Sequence, residues 1–111
     1  MENLYLIELK DKNELFFKIG TTVHRYCRFY ELMKPGYQIK IIYMIFGIEF
    51  YEALNAENKL QSVFKPYIPL KKFGGYRECF YPFDINIYKN ILNNLITSHT
   101  EIAQNIEITW H

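Results

Sequence analysis

The chain begins with a short apolar run, Leu4-Tyr5-Leu6-Ile7, followed by a polar stretch over residues 10–14 that holds the turn-prone Asp11 and Asn13. A second run, Leu15-Phe16-Phe17-Lys18-Ile19, ends at Gly20. Two short strands around a tight polar loop predict an N-terminal antiparallel hairpin. Thr21 and Thr22 then offer hydroxyls as helix caps. Val23, Tyr26, Phe29, Tyr30 and Met33 recur at three- and four-residue spacing until Pro35-Gly36, which predicts a first helix. Over residues 38–46, Ile39, Ile41, Ile42, Tyr43, Ile45 and Phe46 read as a long third strand, apolar on both faces and therefore central.

Residues 49–64 carry Phe50, Leu54, Leu60 and Phe64 at helical spacing, and Pro66 stops the pattern, which predicts a second helix. Residues 65–75 hold two prolines and two glycines and read as a loop, after which Glu78-Cys79-Phe80-Tyr81 is a short extended piece. Asp84 can cap a third helix with Ile87, Tyr88, Ile91, Leu92, Leu95 and Ile96 as its apolar positions. In the tail, Ile106, Ile108 and Trp110 alternate, as they would in an edge strand or in a docking segment.

No repeat, low-complexity tract or Ser/Gly linker interrupts these elements, so residues 1–111 read as one domain. Half of the residues are hydrophobic, enough to offset chain entropy and set bulk disorder aside. Thirteen Lys and Arg against twelve Asp and Glu give a formal charge of +1, so contact with nucleic acid has to come from a local patch. Two cysteines, Cys27 and Cys79, and an opening Met1-Glu2-Asn3 without a charged-then-apolar leader suggest a reducing, intracellular setting. The longest apolar run, residues 41–48, falls well short of the roughly 20 residues of a membrane span, so no membrane partner is expected.

Several residues do not fit a purely structural role. Steps of three and four along the second helix place Glu57 in the apolar stripe with Phe50, Leu54, Leu60 and Phe64. A buried carboxylate needs a cation, a metal or a water-filled cleft beside it; the alternative is an edge-of-stripe Glu paired with a lysine such as Lys59. Arg25 and Arg28, with His24, form a basic ridge on the first helix, which serves either phosphate contact or plain solvation. Lys59, Lys65, Lys71, Lys72 and Arg77 are interleaved with Phe64, Tyr67, Phe73 and Tyr76, a mixture that suits phosphate contacts with stacking and equally an exposed loop whose aromatics cover the core. In the expected hairpin Tyr5 and Lys18 point to the same side of the sheet, and a phenol beside an ammonium is easier to deprotonate.

The order Leu4-Tyr5-Leu6, Lys18-Ile19-Gly20, Arg28 eight positions past the glycine, and a later helix bearing Glu57 resembles the GIY-YIG nuclease superfamily. It is most similar to the short branch of phages and large DNA viruses, with a KIG second triplet, an E-x-x-L-x-x-x-F helix and a GEWF-like segment. Here these are Lys18-Ile19-Gly20, Glu57-x-x-Leu60-x-x-x-Phe64 and Gly75-Tyr76-Arg77-Glu78-Cys79-Phe80, and the likeness spans about residues 3–81. The first triplet departs from Gly-Ile-Tyr.

The resemblance implies an α+β fold with a three-stranded antiparallel sheet flanked by helices, residues 84–111 adding a C-terminal helix and tail. It implies a DNA endonuclease, viral or phage encoded, acting in the host cytoplasm or nucleus. Tyr5 and Lys18 would then lie near the scissile phosphate, Arg28 would contact it, and Glu57 would hold one Mg²⁺ or Mn²⁺. Tyr30 and Glu78 stand as accessory candidates, and His24, Arg25, Lys71, Lys72 and Arg77 as DNA contacts. The competing expectations are a non-cleaving nucleic-acid-binding module of the same fold, and a host-protein-binding module using the aromatic surface and the tail through Trp110.

Overall fold

The two N-terminal runs pair as a hairpin. In the computed structural model, which describes residues 1–109, β1 (Glu2–Lys10) and β2 (Leu15–Thr22) are antiparallel, with Tyr5 opposite Gly20 and Ile7 opposite Lys18. Asp11 closes their turn: its carboxylate accepts from the N–H groups of Asn13 at 2.8 Å and Glu14 at 3.0 Å. β3 (Gln38–Ile48) lies along the other side of β1, again antiparallel. Ile42 is an extra residue in that pairing, so Leu6 faces Tyr43 while Ile7 faces Ile41, and β3 bends there.

The expected three-stranded sheet is in fact five-stranded, in the order β4-β2-β1-β3-β5. β4 (Cys79–Phe80) is the short extended piece, and it pairs with Phe17 and Lys18 on the outer edge of β2. β5 (Glu101–Ile108) is the tail, which satisfies the outer edge of β3 from Ile39 to Phe46. Both additions give partners to backbone groups that a three-stranded sheet leaves bare. Asn105 of β5 takes φ 55°, a conformation that Asn tolerates better than most residues. Trp110, the last alternating tail residue, lies outside the described residues.

α1 (Cys27–Met33) begins later than the hydroxyl caps predict. Thr21 and Thr22 continue β2 opposite Leu4 and Asn3, and the Thr22 hydroxyl accepts from the His24 N–H at 3.1 Å in the bend that follows. Arg25 therefore lies ahead of the helix and Arg28 on it. α2 (Phe50–Val63) and α3 (Ile85–Leu95) follow their patterns, capped by the carboxylates of Glu49 and Asp84. α2 and α3 cover one face of the sheet over Leu4, Leu6, Ile19 and Ile45. α1 and the aromatic loop cover the other over Tyr5, Ile7, Leu9 and Phe16. With helices on both faces, Leu4 to Ile7 are all buried, which is why that run reads as continuously apolar.

Glu14 gathers the loop over residues 65–73. Glu14 accepts from the phenols of Tyr37 and Tyr67, each at 2.6 Å, and from the Leu70 N–H at 3.1 Å. Burial and this contact push the Tyr37 phenol well above its ordinary pKa, and the Glu14 hydrogen bond lifts Tyr67 to about 12, so both remain donors at neutral pH. Phe16 stacks on Tyr67 and Phe73 underneath. Glu14→Ala is expected to cost about 2–3 kcal/mol through the orphaned phenols, and Glu14→Gln less. Urea unfolding checks this, and an alanine variant within about 0.5 kcal/mol of the parent would mean that the stacking alone holds the loop.

Candidate functional site

A lysine sits in the sheet with no exposed surface. Lys18 leaves β2 on the α1 face, diagonal to Tyr5 across the β1–β2 ladder, and its Nζ donates to Tyr5 Oη at 2.6 Å. Tyr5 is itself 1% exposed and is braced by the edge of Phe29 from α1, with ring centroids 5.1 Å apart. Gly20 makes room for the pair, since a Cβ there would fall on the phenol. On the outer side Nζ donates to Glu78 Oε2 at 3.1 Å, the second half of its charge balance. Burial pulls the Lys18 pKa down, the charges of Tyr5 and Glu78 pull it up by more, and the net direction is upward. An ammonium has only donors, so Tyr5 Oη is the acceptor in this pair.

Glu57 reaches the same region from α2. β4 pairs with β2 only at Phe17 and Lys18, and past that point the edge of β2 carries no strand. There the Gln61 side chain donates to the Ile19 carbonyl at 2.9 Å, and Glu57, one turn earlier on the same side of α2, stands beside Thr21. The buried stripe of α2 is Ala53, Ala56 and Leu60, while Phe50 and Leu54 are 52% and 41% exposed. Glu57 is thus half-buried at the edge of the stripe, as the alternative reading had it, but its neighbour is Thr21 and not Lys59. Desolvation raises its pKa, and the Glu78 charge adds to the rise. Lys18 and Thr21 oppose it without cancelling it.

Lys18 is therefore in direct contact with Tyr5 and Glu78, and Glu57 on the α2 side is within electrostatic reach of Lys18 and Glu78. Arg28 stands one residue before the Phe29 that braces Tyr5. Arg28 is exposed and lines a 250 Å³ cavity with Glu31, Leu32 and Gly74. The other basic candidates divide. Arg25 makes a two-pronged bond to Glu101 of β5, at 2.6 and 2.9 Å, and lies 4.2 Å over the Phe46 ring. Lys71 donates to the Pro35 carbonyl at 2.7 Å and pairs with Asp11 at 3.0 Å. Both join chain segments and are not available to a ligand without breaking those bonds. His24, Lys72 and Arg77 are exposed, and the Arg77 Nε donates to the Tyr76 hydroxyl at 3.3 Å. Tyr30 is partly buried on α1. Cys79, opposite Lys18, is buried with its thiol pushed up to about 12, so it is inert at neutral pH.

Gly20 and Gly75 are the functional positions that residue chemistry alone passes over; their signal was their place in the two short motifs. Gly75 holds φ 82°, and a Cβ on it would lie 2.9 Å from Lys18 Cε. Among the described residues no group of three or more His, Cys, Asp or Glu side chains is gathered to hold a metal, and no helix is long and apolar enough to cross a membrane. No family model, no curated protein and no solved structure matches the chain.

The raised pKa of Glu57 has a sign that can be tested. The fold binds its proton more tightly than the unfolded chain, so the contribution of Glu57 to stability is greatest below 4.5 and falls as pH rises through the window above it. Glu57→Gln is expected to raise the urea midpoint at pH 7 in metal-free buffer, with the gain shrinking as pH approaches 4.5. A variant less stable than the parent at pH 7 would show that Glu57 is a structural anchor.

Proposed function

We propose that the protein is a metal-dependent DNA endonuclease of the GIY-YIG type, hydrolysing phosphodiester bonds. The observation that carries this reading is a buried Lys18 ammonium bonded to Tyr5, with Glu57 of α2 within electrostatic reach of it beside a bare strand edge. Phosphodiester hydrolysis needs a proton acceptor for water, positive charge at the phosphate and help for the leaving oxygen. The step needs Tyr5 in its phenolate form, whose charge the Lys18 ammonium balances; that phenolate takes the proton of the attacking water and becomes a phenol. Arg28 forks onto the phosphate oxygens. Lys72 and Arg77 contact the flanking backbone.

Glu57 fits a single hard cation. Magnesium is commonly held by one or two carboxylates with waters and substrate phosphate completing its shell, so a large cage of ligands is not required. A half-buried carboxylate with a second acid acting on it is an environment that a divalent cation relieves. Bound there, the ion supplies Lewis acidity to the phosphate and charge to the leaving oxygen.

The burial of Tyr5 and Lys18 favours a second reading, a module of the same fold that binds nucleic acid without cutting it. One assay separates the two: supercoiled plasmid with parent protein, Glu57→Gln and Arg28→Ala, each with Mg²⁺, Mn²⁺ or EDTA. Nicking or linearisation by the parent alone is expected, abolished by EDTA, with each variant down by about 10²–10³-fold. A salt-dependent gel shift indifferent to Glu57→Gln, with no cleavage in any buffer, would replace the nuclease with the binding module.

A further inference from the structure

The proposed chemistry meets an obstacle in the closed structure: Tyr5 is 1% exposed and Lys18 not at all, so neither water nor phosphate reaches them. What covers Lys18 is the segment 74–78, while Phe29 of α1 lies against the Tyr5 ring. Gly75 lies directly over Lys18, and Glu78 caps its Nζ at 3.1 Å. The segment is bounded by two firm anchors, Phe73 stacked on Phe16 with centroids 6.2 Å apart, and Cys79 in the ladder opposite Lys18. Between the anchors the structure is light. Gly74 has open space where a side chain would go, and the internal bonds are those of two tight turns, Tyr76 N–H to the Phe73 carbonyl at 3.1 Å and Glu78 N–H to the Gly75 carbonyl at 3.0 Å.

Resting on the nuclease reading and adding how its site is opened, we infer that residues 74–78 are a gate latched by the Lys18–Glu78 ion pair, and that a nucleic-acid phosphate replaces the Glu78 carboxylate on Lys18. The exchange keeps the charge balance. A buried ammonium needs an anion beside it at every stage, and a phosphodiester oxygen meets that need as a carboxylate does. Glu78 is 39% exposed, so it swings into water with little desolvation to undo. Gly74 and Gly75 supply the backbone freedom on one side of the latch. Arg77, exposed on the gate itself, gives an approaching polyanion its first contact. Without such a phosphate the lysine that holds the phenol stays covered.

The test uses the full chain in EDTA, with a duplex oligonucleotide as probe. Amide hydrogen exchange over residues 74–79 is read with and without the duplex, and affinity by fluorescence anisotropy. Glu78→Gln is expected to speed exchange in the gate without DNA, leave β1 and β3 amides protected, and bind the duplex about three- to tenfold more tightly. Glu78→Asp, which keeps the charge on a shorter arm, falls between and serves if the glutamine variant folds poorly. Unchanged gate exchange in a folded Glu78→Gln overturns the latch. Parent and variant binding the duplex equally, or the variant more weakly, overturns the phosphate exchange and leaves the nuclease reading intact. Faster gate exchange with no duplex bound by either protein sinks the nuclease reading and the exchange, and leaves the latch standing.

Discussion

An ammonium buried in the middle of a sheet is the constraint on which this structure turns. Taking Lys18 out of water costs several kcal/mol, to an order of magnitude, unless acceptors surround it. Tyr5 Oη and Glu78 Oε2 are those acceptors, at 2.6 and 3.1 Å, and each imposes conditions on its neighbours. Tyr5 can lie against Lys18 only because Gly20, opposite it in the ladder, has no side chain. Glu78 can reach in only because β4 ends the loop against Lys18 and because Gly75 turns through a positive φ with no Cβ to strike the lysine stem. Lys-Ile-Gly and the later Gly-x-x-Glu are thus two halves of one packing solution, 60 residues apart in the chain for the ion pair itself.

How much of this was legible in the sequence follows from how local each signal is. The hairpin, β3, α2 and α3 were, since each has a period of its own and a turn or cap to bound it. β4 was legible as an extended piece but not as a member of the sheet, because two residues carry no period. β5 was ambiguous, because Ala103 is the residue it buries and its alternation passes through the left-handed Asn105. The start of α1 was misplaced because a threonine hydroxyl bonds a bend as readily as it caps a helix. The α2 stripe was misassigned by size: Phe50 and Leu54 stay outside while Ala53 and Ala56 face the sheet, where small side chains let the helix backbone approach. Tyr5 and Lys18 were singled out by the expected hairpin, Glu57 by its place along the second helix, and the three were joined as candidates by their order along the chain. The commitments of Arg25 to Glu101 and of Lys71 to Asp11 were invisible, since they join segments that no local pattern connects.

Three carboxylates hold the stretch from residue 65 to 78, Glu14 and Asp11 its first part and Glu78 its last, in opposite ways. Glu14 gathers two phenols and an amide over a stacked aromatic floor, so the first part of the stretch is bonded at several points at once. Glu78 holds the last part by one ion pair that is already in contact with water. Local stability follows the density of such contacts, so opening concentrates between Phe73 and Cys79, not along the whole loop. Gly74, in that interval, also lines the cavity beside Arg28, so moving the segment changes the surroundings of the lysine and of the arginine together.

The charge count at the site gives a reason for a cation in the proposed reaction. Burial lifts the Glu57 pKa first and the Glu78 charge adds to the rise. The single ammonium of Lys18 opposes that rise without cancelling it, which leaves an excess of negative charge between the two acids. If a phosphate takes the place of Glu78, the excess persists, because one anion has been exchanged for another while Glu57 has not moved. Arg28 lies on the far side, with Phe29 and Tyr5, and cannot relieve a carboxylate held on the α2 side beside Thr21. A divalent cation, if held by Glu57, would relieve that carboxylate and would supply positive charge to the phosphate. On this account the destabilising acid of α2 and the latched acid of the gate are parts of one arrangement, in which the closed fold tolerates a surplus of negative charge that becomes useful only when substrate and metal arrive together.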